Sequence, residues 1–381
     1  MAFNVNLKSF KNLLQKVYPT VPVRTPYPVL LNLKFVVAGG QLKVYATDMD
    51  TSVVAQIAVD SDEEKKFVVN AKKIYDWTAI SSSDDNQNVS IDVSDSSVVI
   101  TRGKSKSAFA CVDINDYPEF PQFDKSKSYE FPAEKLKYVS GKVSGFAADK
   151  NESRNRGALE GVLFDCFKDK VIFVATDAHK LSIVSFNTSF GFSENVSVIV
   201  PPKPLNEIVN IIESSGCDNV KVSISSENIS FFSDDFELIT RLFEGPYPDY
   251  NKVIPTEHSN EFSAERQDLI NSLKIAASVA DQTNHLVKLC LEGNELCLRS
   301  EDTNTNSRSD EFLSVDYPNN DKFVIGFNAN LLIEILSAMD TQRVKFEFVS
   351  NTNGSVIKPV YSEGNEEKEI LFLLMPLRFP E

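Results

Sequence analysis

The sequence contains no apolar run approaching the ~20 residues that cross a bilayer as a helix, so a helical membrane span is not expected. Its first residues, MAFNVNLKSFKNLLQKV, alternate and then turn helical. They lack the apolar core and small-residue cleavage site of a secretory signal, and a cytoplasmic protein is the expectation. Cysteine is sparse and odd in number: Cys111, Cys166, Cys217, Cys290 and Cys297, with no C-x-x-C. That pattern argues against both a zinc ribbon and a disulfide framework. Cys290 and Cys297 flank a hairpin-like stretch, LCLEGNELCL, and should face each other across it as buried thiols. Histidine is rarer still: His179, His258 in a polar linker and His285 in DQTNHLVK, the last two expected to be solvated. No G-x-S-x-G, phosphate-binding glycine loop or metal-ligand spacing accompanies them, so no metal or cofactor is expected. Basic residues are outnumbered, 39 against 54 acidic, for a net charge of −15. Alone, that deficit argues against a nucleic-acid binder, because phosphate contacts need Lys and Arg; the distribution of charge decides.

What the sequence does have is repetition. FNVNLKSFKNLL from Phe3, YEFPAEKLKYVS from Tyr129 and FSAERQDLINSL from Phe262 each read as a short strand running into an amphipathic helix. FVVNAKKIYDW from Phe67, VIVPPKPLNEIV from Val198 and VIGFNANLLIEIL from Val324 form a second such set. A third set is a strand ending in a polar turn: LKVYATD, VIFVATD and LCLRSED, ending at Asp48, Asp177 and Asp302. All three sets recur about 130 residues apart, which makes the period an architectural one. Each unit holds two strand-to-helix steps among alternating stretches such as VSIDVSDSSVVI and VKVSISSENISFF. The expectation is α+β: three tandem domains, 1–125, 126–255 and 256–381, each with two helices packed on antiparallel sheets. The joins, DYPEFPQFDKSKS and GPYPDYNKVIPTEHS, are rich in Pro and Asp.

Three domains set at a constant rotation make an arc, and two arcs head to tail close a ring. The helical stretches of the first half are basic: Lys8, Lys11 and Lys16; Lys72 and Lys73; then Lys135, Lys137, Lys142, Lys150, Arg154 and Arg156. Acid gathers in loops such as DSDEE, SSSDDNQ, SDDFE and EGNEEKE. This fits a positive inner face and a negative exterior. The later helices carry the pattern poorly, with Lys203 and Lys274 among Glu207, Glu213, Asp268 and Glu334.

The segment VATDAHKLSI, Val174 to Ile183, packs Thr176, Asp177, His179 and Lys180 into five positions and invites a catalytic reading. Because ATD recurs at Ala46 to Asp48, Thr-Asp belongs to the strand end, and only Ala178-His179-Lys180-Leu181 is particular to this copy. With VIVPPKPLNEIV, GPYPDYNKVIP, FVIGFNANLLIEIL and the C-terminal LLMPLRF, the segment resembles the bacterial DNA polymerase sliding clamp family, the β subunit of the replicative polymerase holoenzyme. The likeness runs the full length; TDMDTSV and RTPYPVL carry it in the first domain, and LVKLCLEGNELCL is most similar to clamps of the Bacteroides group.

The resemblance implies a homodimer closing a six-domain ring around double-stranded DNA, held by encirclement rather than sequence. It implies a processivity factor without chemistry, and no membrane. Its partners would be the replicative DNA polymerase alpha subunit, the clamp loader, and motif-bearing proteins such as translesion polymerases, ligase and mismatch-repair proteins. It implies a peptide-docking pocket of Leu159, Thr176, Ala178, His179, Lys180, Leu181, Pro248, Lys252 and Val253. Leu373, Leu374, Met375, Pro376, Leu377 and Arg378 would complete it, with Asn353 and Ser355 beside them. Leu181 would line this pocket, with His179 and Lys180 at its rim. Ala178 replaces a common Gly, Lys180 and Lys252 replace common Arg, and the terminal Phe-Pro-Glu would shade the pocket mouth. For DNA the resemblance points to Arg24, Lys72, Lys73, Arg156 and Lys203, with Gly157 and Ala158 standing where an aromatic pair is usual. For the dimer it pairs the strand near Lys104, Lys106 and Phe109 with the helix end near Val279 and Ala280. The runner-up is a phage- or plasmid-type clamp homologue that competes with host replication. A hydrolase built on Thr176, His179 and Asp177, and a β-rich adhesive repeat protein, explain less of the pattern.

Overall fold

A computed structural model describes residues 2–61, 63–81, 87–150, 157–319, 321–361 and 368–379. In chain order the elements are β1 (Ala2–Asn6), α1 (Leu7–Val17), β2 (Asn32–Ala38), β3 (Gln41–Thr47), β4 (Thr51–Ala58), β5 (Lys65–Asn70), α2 (Ala71–Ser81), β6 (Asn88–Val93), β7 (Ser97–Arg102) and β8 (Ser105–Val112). There follow β9 (Tyr129–Pro132), α3 (Ala133–Val143), β10 (Val162–Cys166), β11 (Val171–Thr176), β12 (Lys180–Phe186), β13 (Val196–Val200), α4 (Pro202–Ser215), β14 (Asn219–Ile224), β15 (Asn228–Phe232) and β16 (Phe236–Arg241). The last third holds β17 (Asn260–Glu265), α5 (Arg266–Val279), β18 (Leu286–Glu292), β19 (Glu295–Asp302), β20 (Ser307–Ser314), β21 (Phe323–Asn328), α6 (Ala329–Ser337), β22 (Arg343–Phe348), β23 (Ser355–Val360) and β24 (Lys368–Leu374).

All six strand-to-helix steps read from the sequence are present, and every named strand pairing is antiparallel. Local chemistry explains the steps. Asn6, Asn70 and Asn328 end their strands, and their side-chain oxygens accept the amides of Ser9, Lys73 and Asn330, which starts a helix at each. In α1 the buried Leu7, Phe10, Leu13, Leu14 and Val17 recur at helical spacing and form one stripe. Helix α4 begins with Pro202 and stops at Gly216, whose φ of +67° supplies the left-handed cap.

The described residues fall into two compact bodies, 1–140 with 200–243, and 141–199 with 244–381. The first is built on a twelve-stranded sheet ordered β1-β6-β7-β8-β5-β2-β3-β4-β16-β15-β14-β9. The second holds an eight-stranded sheet, β13-β10-β11-β12-β24-β23-β22-β17, and a four-stranded one, β20-β19-β18-β21. The sheets therefore run across the joins of the 130-residue repeat: β4 of the first repeat pairs with β16 of the second, and β12 of the second with β24 of the third. Of the strands that correspond to these pairs in the repeat, β8 and β20 lack such a mate among the described residues. Strand β8 meets β5 only at Val112 and Cys111, leaving Ser105–Ala110 open on that side, and β20 ends its sheet.

Phenylalanine dominates the cores: Phe3, Phe10 and Phe35 in one body, Phe164, Phe173, Phe262, Phe346 and Phe348 in the other, all essentially inaccessible. Cys290 and Cys297 face each other across the β18–β19 hairpin as expected, both free, the first half-buried and the second buried. His258 is exposed, as expected, and its Nε2 also lies 3.2 Å from the buried Glu347 carboxylate, which Lys358 (2.7 Å) and Lys345 (3.5 Å) also hold. His285 is half-buried.

Candidate functional site

The turn that joins β11 to β12 is fixed by its own polar groups. Thr176 Oγ1 donates to the Lys180 carbonyl (2.7 Å) and accepts from the Ala178 amide (3.1 Å). Asp177 Oδ1 accepts from the His179 and Lys180 amides, both at 2.8 Å. The same bonds recur one repeat earlier, where Thr47 binds the Thr51 carbonyl and the Met49 amide, and Asp48 binds the Asp50 and Thr51 amides. Ala178 and Met49 occupy corresponding places with φ of +77° and +82°. Thr-Asp is thus a turn-builder. The hydroxyl and carboxylate that a hydrolase would need are bonded to backbone, and none of these bonds involves the imidazole.

This turn meets the C-terminal strand. Lys180 and Leu181 pair with Leu374 and Leu373, and the Met375 amide donates to the His179 carbonyl at 2.8 Å. Burial pushes the Tyr247 hydroxyl far above its usual pKa, opposed by the Thr176 backbone beside it, so the segment leading to Pro248 lies against the same turn. Asp249 then caps the short helical turn Tyr250–Val253 and pairs with Lys252 at 3.3 Å. Leu373 packs over Gly354, which brings Asn353 and Ser355 alongside; Ser350 Oγ holds Asn353 Oδ1 at 2.6 Å. Of the residues that the resemblance assigns to a docking patch, Val253 (51 %), Met375 (39 %), His179 and Pro248 are exposed, while Leu159, Leu181, Leu373 and Leu374 are buried. Pro376 and Leu377 are half-buried and Arg378 is exposed.

Three expectations need correction. Lys180 is not at the rim: it is 6 % exposed, its Nζ bound to Glu334 (2.5 Å) and the Gly145 carbonyl (2.9 Å) and lying over the Phe146 ring. A long stem that starts a strand in the core finds a carboxylate on α6 more favourably than it could reach water. Ser355 is fully buried and gives no surface hydroxyl. Phe379 does not shade the patch; its ring sits on Gly326 and under Lys288, and the Leu377 amide donates to the Gly326 carbonyl. Pro380 and Glu381 lie outside the described residues.

The basic residues separate by partner. Arg24 and Lys73 are exposed, and Lys72 is exposed on α2 with Asp76 one turn on at 2.6 Å. Lys203 is held by Asp48 (2.8 Å) and Glu207 (3.5 Å). Burial alone would lower the Lys203 pKa, and these two acids outweigh it and leave it raised; burial pushes Glu207 up. Lys16, read as part of a basic face, is instead buried and bound to Asp235. Arg154 and Arg156 lie outside the described residues.

At the open β8 edge, Lys104 and Lys106 are exposed, while Phe109 is half-buried edge-on to Trp77. Ala280 is buried at the end of α5 and offers no side-chain face, which corrects the expectation there; Val279 is half-buried. The sequence reading missed the surface nearby: Ile275 on α5 (50 % exposed) and Phe312 on β20 (62 %). A Phe beside Leu313 in the otherwise polar SRSDEFLS was the available signal.

Family models describe the same three parts. The DNA polymerase III beta subunit N-terminal domain matches residues 1–121, its central domain 130–249 and its C-terminal domain 251–376. The beta sliding clamp of Pseudomonas aeruginosa is 25% identical over 380 residues, spanning 99% of this chain and 100% of that one. That of Escherichia coli K12 is 24% identical with the same coverage. Among solved structures, the Pseudomonas aeruginosa sliding clamp bound to griselimycin superposes with a TM-score of 0.90 at 23% identity, covering both chains fully. The DNA polymerase III beta subunit of Thermotoga maritima does so with 0.90 at 22%, again over both full chains. Repeat, sheet order, turn chemistry and matched relatives agree along the whole length, and the chain belongs to the DNA polymerase III beta subunit family.

Proposed function

We propose that this chain is a DNA polymerase sliding clamp: two copies close head to tail around duplex DNA and tether the replicative polymerase. One observation carries the proposal. The second half of each later repeat pairs its last strand with the repeat before it, β16 with β4 and β24 with β12. The first repeat's corresponding strand, β8, and the third repeat's outer strand, β20, are left over. Pairing β8 of one copy with β20 of another continues the rule twice and closes it. Lys104 and Lys106 lie on one edge and Glu311 on the other, where Asp310 is already paired with Arg299 and Arg308. The domains of this reading are 1–125, 126–255 and 256–381.

The protein would hold DNA by topology. Arg24, Lys72, Lys73, Lys203 and Arg156 would meet phosphates loosely, which suits sliding; Lys72 and Lys203 already share their charge with acids. It would catalyse nothing and act in the cytoplasm at the nucleoid. Partners would dock extended peptides with a Gln and apolar residues on the Val253–Met375 patch, among them the polymerase alpha subunit, the clamp loader, translesion polymerases, ligase and mismatch-repair proteins. The relatives named above come from bacteria, which favours this reading over a phage or plasmid competitor.

Loading onto nicked circular DNA tests it. Retention should persist through a gel-filtration column and vanish once the circle is cut. Equal retention on cut and uncut circles would refute encirclement.

A further inference from the structure

In the first body, the face of the β3–β2–β5 sheet turned away from α1 carries lysines where the other face carries Leu33, Phe35 and Val37. Register places Lys43, Val36 and Lys66 side by side on adjacent strands, and Lys34 beside Tyr45 one step along. At ~4.8 Å between strands and ~6.8 Å between same-face residues, the three stems rise within about 10 Å of one another. They line a concavity of about 460 Å³ with Tyr45 and Phe120. Lys34 is only 8 % exposed, its Nζ 5.8 Å from the Tyr45 ring centre and 5.9 Å from that of Tyr117. A buried ammonium of this kind needs an anion. The chain supplies one from an exposed position: Glu119 Oε1 at 3.3 Å, its side chain 92 % accessible. The next residue, Phe120, sets its ring edge-on against Tyr45 at 5.5 Å. Lys43 and Lys66 have no ion pair among the described residues. Two lining acids are already matched, Asp235 by Lys16 and Glu237 by Lys125, so only Asp234 and Glu119 offset the three lysines.

We infer that this concavity docks an acidic, aromatic-bearing extended segment of a partner protein, with carboxylates on Lys43, Lys66 and Lys34 and a ring beside Tyr45. The Glu119-Phe120 pair is the chain's own partial version of that ligand, and it names the chemistry: a carboxylate on Lys34 followed by a ring on Tyr45. An extended peptide places alternate side chains ~6.8 Å apart on one side, which matches the spacing along the strands. The site shares no residue with the Val253–Met375 patch, and the two occupy different bodies.

Fluorescence anisotropy of a labelled Glu-Ser-Phe-Ser-Glu peptide with the full chain tests the inference, against an Asn-Ser-Phe-Ser-Asn control. The acidic peptide should bind and the control should not. Lys43→Glu with Lys66→Glu should weaken binding about tenfold or more while leaving the melting curve in place. Glu119→Gln should tighten it several-fold, because the peptide then takes Lys34 without displacing a native carboxylate. Equal binding of the control, or no effect of the double reversal on a folded protein, would overturn the inference. So would inorganic pyrophosphate displacing the peptide at equal concentration, which would make this a small-anion site.

Discussion

Ala178 sits at φ +77°, a conformation in which a Cβ is strained and glycine is not. Ala178→Gly should raise the unfolding free energy by about 0.5–1 kcal/mol in urea melts; an unchanged or lower value would mean that the strain is relieved elsewhere. The Glu347 carboxylate is a second single-residue test. Burial pushes its pKa up, but Lys358, His258 and Lys345 outweigh burial and hold it below the usual value. Its contribution is therefore complete above the unfolded carboxylate pKa of about 4.3 and fades as pH falls through the depressed one. Glu347→Gln should cost about 1–2 kcal/mol at pH 7, discounted because both lysines are partly exposed. The difference from the parent should shrink as pH drops below about 4. A deficit of the same size at pH 7 and pH 3 would show that packing and not charge was lost. At this scale the sequence was legible where chemistry is local, as in Thr176-Asp177. It was misleading for Lys180 and Lys16, because each has a partner far along the chain, Glu334 and Asp235.

At the scale of elements, the six strand-to-helix steps could be read because asparagine caps, helical apolar stripes and alternating strands are all signals within a dozen residues. The edges could not. That β8 is open along Ser105–Ala110 and β20 lies outermost depends on which strands fail to find mates. An open edge carrying Phe312 at 62 % exposure suits the association surface of the proposed ring. Phe312→Lys removes that apolar contact and sets a cation toward the Lys104 and Lys106 of a second copy. Light scattering should then report 42.5 kDa in place of about twice that mass. A variant that stays dimeric would move the interface elsewhere.

For the whole molecule, the docking and ring closure proposed above would draw on different surfaces and should separate. Met375→Ala removes an exposed apolar side chain of the patch, while β8 and β20 are untouched. Binding of a Gln-Leu-type peptide should fall by about tenfold in calorimetry, the order expected for a central apolar contact. The oligomeric state and retention on circular DNA should not change. Joint loss of both would tie the C-terminal strand to assembly.

The sequence by itself determined the 130-residue period, the α+β class, the strand-to-helix steps and the turn at Thr176-Asp177, because each follows from residues close together in the chain. The tertiary structure decided which polar groups stay available. Lys180 and Lys16 became buried partners, Ala280 and Ser355 became interior, and Lys34, Lys43 and Lys66 became one cluster. It also decided that continuous sheets cross the repeat joins and leave β8 and β20 without the mates that their counterparts in the repeat have. Burial, ion pairing and strand order are settled between residues distant in sequence, and no local pattern encodes them.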